Sequence, residues 1–153
     1  MKKFKFTLQT VHNVREMKQE REEMTLAEML NDVTLASERI KQIEKMRFDA
    51  IEAYTERLRS GEFLNPTEME LNTKYFNSLD TLQREAEKDL AEKNQACTEQ
   101  RAKLASAARE VKITDRLREQ QYLRHQLENE KHQQTALDEI VSAAFARKLR
   151  TKL

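Results

Sequence analysis

The sequence predicts an all-α protein: a two-helix antiparallel coiled-coil hairpin whose second helix is the longer. Three observations predict it. The composition is 36% charged and 6% aromatic, with one Gly, one Pro and no Trp, so the turn-forming residues that a compact globule needs are scarce. Glu, Lys, Gln, Arg and Ala, the strong helix formers, make up much of the chain, and 38% of it is hydrophobic, which argues against disorder. Apolar residues then recur at alternating steps of three and four, the seam of a coiled coil. Finally, the breakers cluster at one place, Ser60 to Asn65.

The first helix is expected over residues 8–59. Thr7 is placed to cap its N-terminus, with Phe6 stapled onto Val11. Its seam reads Leu26, Met29, Val33, Ala36, Ile40, Ile43, Ala50 and Tyr54, widened by Leu30, Ile51 and Leu58. Arg57 and Arg59 suit the negative end of the helix dipole, and Gly61 suits the left-handed residue just past it. After the turn at 60–65, Asn65 is a cap, Pro66 a first helical residue and Glu68 the return arm of a capping box, with Leu64 stapled onto Met69.

The second helix is expected over residues 66–148. Its stripe reads Tyr75, Leu79, Leu82, Ala86, Leu90, Cys97, Leu104, Ala108 and Val111, then Leu117, Leu123, Leu127, Leu137, Val141 and Ala144. Lys93 and Gln100 intrude on it and are expected to set register at some cost in stability. With the bend near Phe63, residue i of the first helix faces roughly residue 126 minus i, so Phe4 meets Tyr122 and the second helix overshoots by about 25 to 30 residues. That overhang keeps an apolar face in Leu123, Leu127, Leu137, Ile140, Val141 and Phe145, and an isolated amphipathic helix is marginal in water. It therefore asks for a partner.

Chemistry is poorly provided for. One Gly cannot build a phosphate-cradling loop or a dinucleotide fingerprint, and two helices form no pocket that would gather a nucleophile with its base. His125, Glu128 and His132 share a helical face but lack the further ligands and second shell of a zinc site; His12 stands isolated. No enzyme activity, cofactor or metal is expected. Net charge is +1, which gives no ground for nucleic-acid binding. The basic ends (Lys2, Lys3, Lys5, Arg15, Lys18 and Arg21; Arg147, Lys148, Arg150 and Lys152) are solvated faces and dipole partners on the plain reading, and a match for an acidic surface on the functional one. Cys97 falls on the stripe as a core filler. No apolar run is long enough for a membrane span, and Met1 to Leu30 lacks a signal peptide's apolar block, so a cytoplasmic location without membrane insertion is expected. Phe48 and Phe76, off the main seam beside Tyr75, are either flank packing or a docking patch.

The opening Phe4-Lys5-Phe6-Thr7-Leu8-Gln9-Thr10-Val11 with Arg15, and later Glu110-Val111-Lys112, the stretch Leu117 to Gln121, Glu130-Lys131, Asp138-Glu139 and Phe145, resemble the signatures of the flagellar FliJ family over essentially the whole chain. The resemblance implies a component of the flagellar type III export apparatus, shaped like the central stalk of a rotary ATPase. It implies that Phe4, Leu8, Val11, Arg15, Leu123, Leu127, Leu137, Val141 and Phe145 face the ring of the export ATPase. It also implies contact with a membrane export gate, to which Phe48, Tyr75 and Phe76 are assigned, and with export chaperones, at the cytoplasmic face of the cell membrane. Two other readings share the same physics: a stalk or stator of another rotary ATPase or virulence-type secretion system, and a membrane-surface or filament scaffold. The second lacks the continuous basic face of an interfacial helix.

Overall fold

The computed structural model describes residues 3–150; of the basic end residues, Lys2 and Lys152 lie outside them. The described chain is two helices, α1 (Gln9–Arg59, 51 residues) and α2 (Pro66–Arg150, 85 residues), antiparallel and packed on each other. No strand occurs among the described residues.

The turn is built from its sequence chemistry. Gly61 takes φ 72, a left-handed conformation that costs a side chain about 1–2 kcal/mol. The Glu62 N–H reaches back to the Arg57 carbonyl (3.3 Å) and the Gly61 N–H to that of Leu58 (3.3 Å), which closes α1 in the double hydrogen-bond pattern of a left-handed cap. Arg57 also grips Glu62 through Nε and Nη2 at 3.1 and 3.2 Å. That hydrogen bond, followed by the charge attraction, holds the Glu62 carboxyl below the usual carboxylate range and raises Arg57. At the start of α2, Asn65 Oδ1 accepts from the Thr67 N–H, and Glu68 accepts from the Asn65 N–H, so the capping box is formed. Leu64 is buried beneath it.

The chain divides into two compact units, one of Glu20–Ala105 and one of Met1–Gln19 with Ser106–Leu153. In the first, the turn unit, the α1 seam runs Glu22, Leu26, Met29, Val33, Ala36, Ile40, Ile43, Ala50, Tyr54, all buried or half-buried. Opposite lies Phe76, Leu79, Gln83, Ala86, Leu90, Lys93, Cys97, Gln100, Leu104. Phe76 therefore belongs to this seam and makes an edge-to-face contact with Tyr54 at 6.3 Å, while Tyr75 sits beside it, half turned to solvent. Leu82 is likewise exposed. A seam residue one place along from the one chosen by hydrophobicity preserves the three-four spacing better, and spacing decides what a helix can bury. Gln100 is 3% exposed and its amide donates to the Glu22 carbonyl (3.2 Å) and to the Glu22 carboxylate. Arg47 crosses to Asp80 at 2.9 Å and to Gln83 at 3.3 Å.

In the second, the terminal unit, Phe4 meets Tyr122 (ring centroids 5.3 Å) and His12 meets Thr114 (2.8 Å); both pairs obey the register counted from the bend. Every described residue after Asn129 is exposed.

Candidate functional site: a polar seam under an apolar outer face

The terminal unit reverses the usual amphipathic order. Counting back from Leu26 in steps of four and three gives Glu22, Gln19, Arg15 and His12, so its α1 seam positions are Gln19, Arg15 and His12; these, in the seam, are buried or half-buried. On α2 the corresponding positions are Ala107, Val111, Thr114, Gln121, His125 and Asn129. His12 is thus the centre of the unit at 2% exposed, against the expectation that it stands isolated. The expectation failed because a seam was sought among apolar residues only.

The hydrogen bonds around His12 close on themselves. The Thr114 hydroxyl lies 2.8 Å from the Val111 carbonyl, to which it can donate, and 2.8 Å from His12 Nδ1, with which it donates or accepts according to the ring tautomer. Nε2 faces the carboxylates of Glu16 (3.1 Å) and Asp115 (3.5 Å), which only accept. Both ring nitrogens therefore have polar partners, and no buried side-chain polar atom among the described residues lacks a partner. Phe6, buried, sets its ring edge-on to His12 at 6.4 Å; its partner is this ring, whereas Val11 is exposed. Nor does Thr7 cap α1. The first helical N–H bond runs from His12 to the Leu8 carbonyl (2.9 Å), and the Thr7 hydroxyl donates instead across to Gln121 Oε1 at 3.1 Å.

Arg15 is committed within the unit: Nη1 donates to the Glu110 carbonyl at 3.0 Å, and Lys18 lies 3.5 Å from the Glu110 carboxylate. Phe4 rests half-buried on Tyr122 and on His125 at 5.7 Å. His125 Nδ1 is bonded to the Asn129 amide at 3.1 Å. No group of three or more His, Cys, Asp or Glu residues placed to hold a metal occurs among the described residues, and no described helix is long and apolar enough to cross a membrane.

The apolar residues face outward. Leu123 and Leu127 each lie two positions beyond a seam residue, Gln121 and His125, hence about 200° round the helix, on its far side. Leu127 is 58% exposed and Leu137, Val141 and Phe145 are 61%, 65% and 65% exposed. The expected single stripe along α2 is therefore two. The seam continues as polar residues, and the leucines that seemed to prolong it occupy the opposite face. Leu8 and Val11 on α1 are exposed as well. In the turn unit, Phe48 is 66% exposed and borders a shallow recess with Ile51, Thr55 and Arg59.

The family model for the flagellar FliJ protein matches residues 4–150, nearly the whole chain. The chain belongs to the FliJ family, a family of non-catalytic components of flagellar protein export. Comparison with curated proteins and with solved structures gives no significant match.

Proposed function

We propose that this chain acts as the central stalk of the flagellar export ATPase, its terminal unit docking in the ATPase ring through the outward apolar face of α2. The observation that carries this reading is that Leu123, Leu127, Leu137, Val141 and Phe145 are all exposed while the seam beneath the first two is polar. A face of that kind has no intramolecular use, and membership of the flagellar family supports reading the export ATPase as its partner. Leu8 and Val11 add apolar area from α1; Phe4 and Arg15 contribute by holding the two strands together. The turn unit, with Phe48 exposed and Tyr75 and Phe76 beside each other, is the proposed contact for the export gate at the cytoplasmic face of the membrane, and chaperone binding is part of the same proposal. A stalk of another rotary ATPase would present similar surfaces; the family match favours the flagellar one.

The test is a titration against the purified export ATPase. Leu137→Ala with Val141→Ala is expected to weaken binding at least about tenfold, since that requires the loss of only about 1.4 kcal/mol and each side chain is worth roughly 1.5–3 kcal/mol when fully buried. At dilutions where the free protein is monomeric its helix content should not change. If the wild-type chain does not bind the ATPase, or if the double variant binds as well as it does, the stalk reading fails.

A further inference from the structure

The outer face of α2 in the terminal unit has a spacing of its own. Leu123, Leu127, Glu130, Gln134, Leu137 and Val141 follow one another at steps of four, three, four, three and four, which is a second coiled-coil seam on the side of the helix turned away from α1. The order of its residues is a palindrome: two apolar, two polar, two apolar. A palindromic seam is complementary to itself when two copies run antiparallel about a twofold axis.

We infer that this face is a docking surface for a second copy of the same chain, paired antiparallel over residues 117–147. Aligned about a centre between Glu130 and Gln134, Leu123 faces Val141 of the other copy and Leu127 faces Leu137, each apolar residue on an apolar one. Glu130 faces Gln134, which can donate to its carboxylate, a polar layer of the kind that fixes register. Flanking positions agree except at Ile140, which meets Gln126. In an antiparallel pair each flank meets its own kind, which places Arg124 beside Asp138, Glu119 beside Arg147, and Leu117 beside Phe145. Two unlike-charge contacts and one apolar contact thus occur twice each by symmetry. Like charges meet at Lys131 on the axis, close to both Glu130 residues, and at the far ends where Arg116 faces Lys148.

Other alignments do worse. A shift by one heptad sets Leu123 against Gln134. A parallel pair stacks Glu130 on Glu130 in the seam, where like charges repel in a partly desolvated site. The exposure of Leu137, Ile140, Val141 and Phe145 supplies the driving force, and an overhanging helix that is marginal alone gains order from pairing. The pairing covers residues that the stalk reading assigns to the ATPase, so, on that reading, self-association and docking exclude one another.

Sedimentation equilibrium of the full chain without any ATPase, over about two decades of concentration, reads the association directly. A monomer–dimer equilibrium is expected. Arg124→Glu should move its midpoint roughly fivefold upward, and adding Asp138→Arg should return it to within about twofold of the wild type, since the two charges are exchanged and not lost. Direction is read by cross-linking in a Cys97→Ala background with a short bis-maleimide. Gln133→Cys, which lies next to its own mate across the axis, should cross-link, and Leu127→Cys, which faces Leu137, should not. A chain that remains monomeric throughout, a charge exchange that fails to restore association, or cross-linking through Leu127→Cys in preference to Gln133→Cys would overturn the proposal. Because no ATPase is present, none of these outcomes bears on the stalk reading.

Discussion

Replacing Thr114 by Val tests the buried network around His12 with little change of shape. Thr114 is 1% exposed, and Val matches it except for the hydroxyl. His12 Nδ1 pairs with that hydroxyl at 2.8 Å, so Thr114→Val leaves a buried ring nitrogen with no partner, at a cost of about 1–3 kcal/mol. His12→Leu removes the ring from its three polar partners. The Thr114 hydroxyl keeps the Val111 carbonyl at 2.8 Å, and Glu16 and Asp115, about half exposed, regain water. Its cost is therefore mostly lost packing against Phe6, about 1 kcal/mol. The double variant orphans nothing, because replacing both partners of a buried hydrogen bond by apolar groups is close to neutral. The double-mutant cycle should thus yield a coupling of roughly 1–3 kcal/mol. Amide hydrogen exchange at residues near His12 and Thr114 is the suitable assay, because local opening of one unit need not register in a global melting curve. If Thr114→Val alone is neutral, or the two changes simply add, the bond between the two side chains contributes nothing to the unit and the reasoning is refuted.

Leu79→Ala should destabilise the isolated protein by about 2–5 kcal/mol in urea unfolding, since Leu79 is 1% exposed and a cavity replaces it; Leu127→Ala should stay within about 0.5 kcal/mol at dilutions where the chain is monomeric. Gly61→Ala should cost about 1–2 kcal/mol, wholly from the left-handed backbone, because an added Cβ meets nothing within 4 Å. For Glu62 the folded carboxyl titrates below its unfolded value. Its contribution to the turn is therefore complete above the unfolded carboxylate pKa of about 4.3 and fades as pH falls through the lower folded value. Arg57→Gln should move the Glu62 titration up to the ordinary carboxylate range in chemical-shift titrations of Gly61 and Glu62.

Much of this fold was legible because it rests on local signals. Gly61, Asn65, Pro66 and Glu68 each act within a few residues, and each is found in the backbone or hydrogen-bonding role its chemistry suggests. The register followed from the position of the bend, which is why Phe4 could be matched to Tyr122. What misled was the assumption that the seam is wherever the leucines are. In the turn unit the two coincide to within a residue, as with Tyr75 and Phe76. In the terminal unit they part company: the spacing that leads back from Leu26 passes through Glu22, Gln19, Arg15 and His12, and the spacing that leads on from Val111 passes through Thr114, Gln121 and His125. Periodicity followed without regard to polarity would have brought His12 and Thr114 together. The expected cap at Thr7 failed for a related reason, since a short hydroxyl that can cap its own helix can also reach across to Gln121.

The two units therefore divide the work of the chain by where each keeps its apolar groups. The turn unit buries Ala36, Ile43, Leu79, Ala86 and Cys97, and burial of that kind stabilises a hairpin with no outside help. The terminal unit buries fewer, Phe6, Ala107 and Val111, and puts His12 and Thr114 at its centre, and a buried polar pair contributes little net stability even when every bond is made, while strongly penalising a wrong alignment. Such a seam specifies which residues of the two strands meet more than it holds them together. The free energy not gained inside remains available outside, on the face carrying Leu123, Leu127, Leu137 and Val141. A unit built this way is defined in register before it is fully stable, and the stability it lacks is what a second surface, closing over that face, can supply.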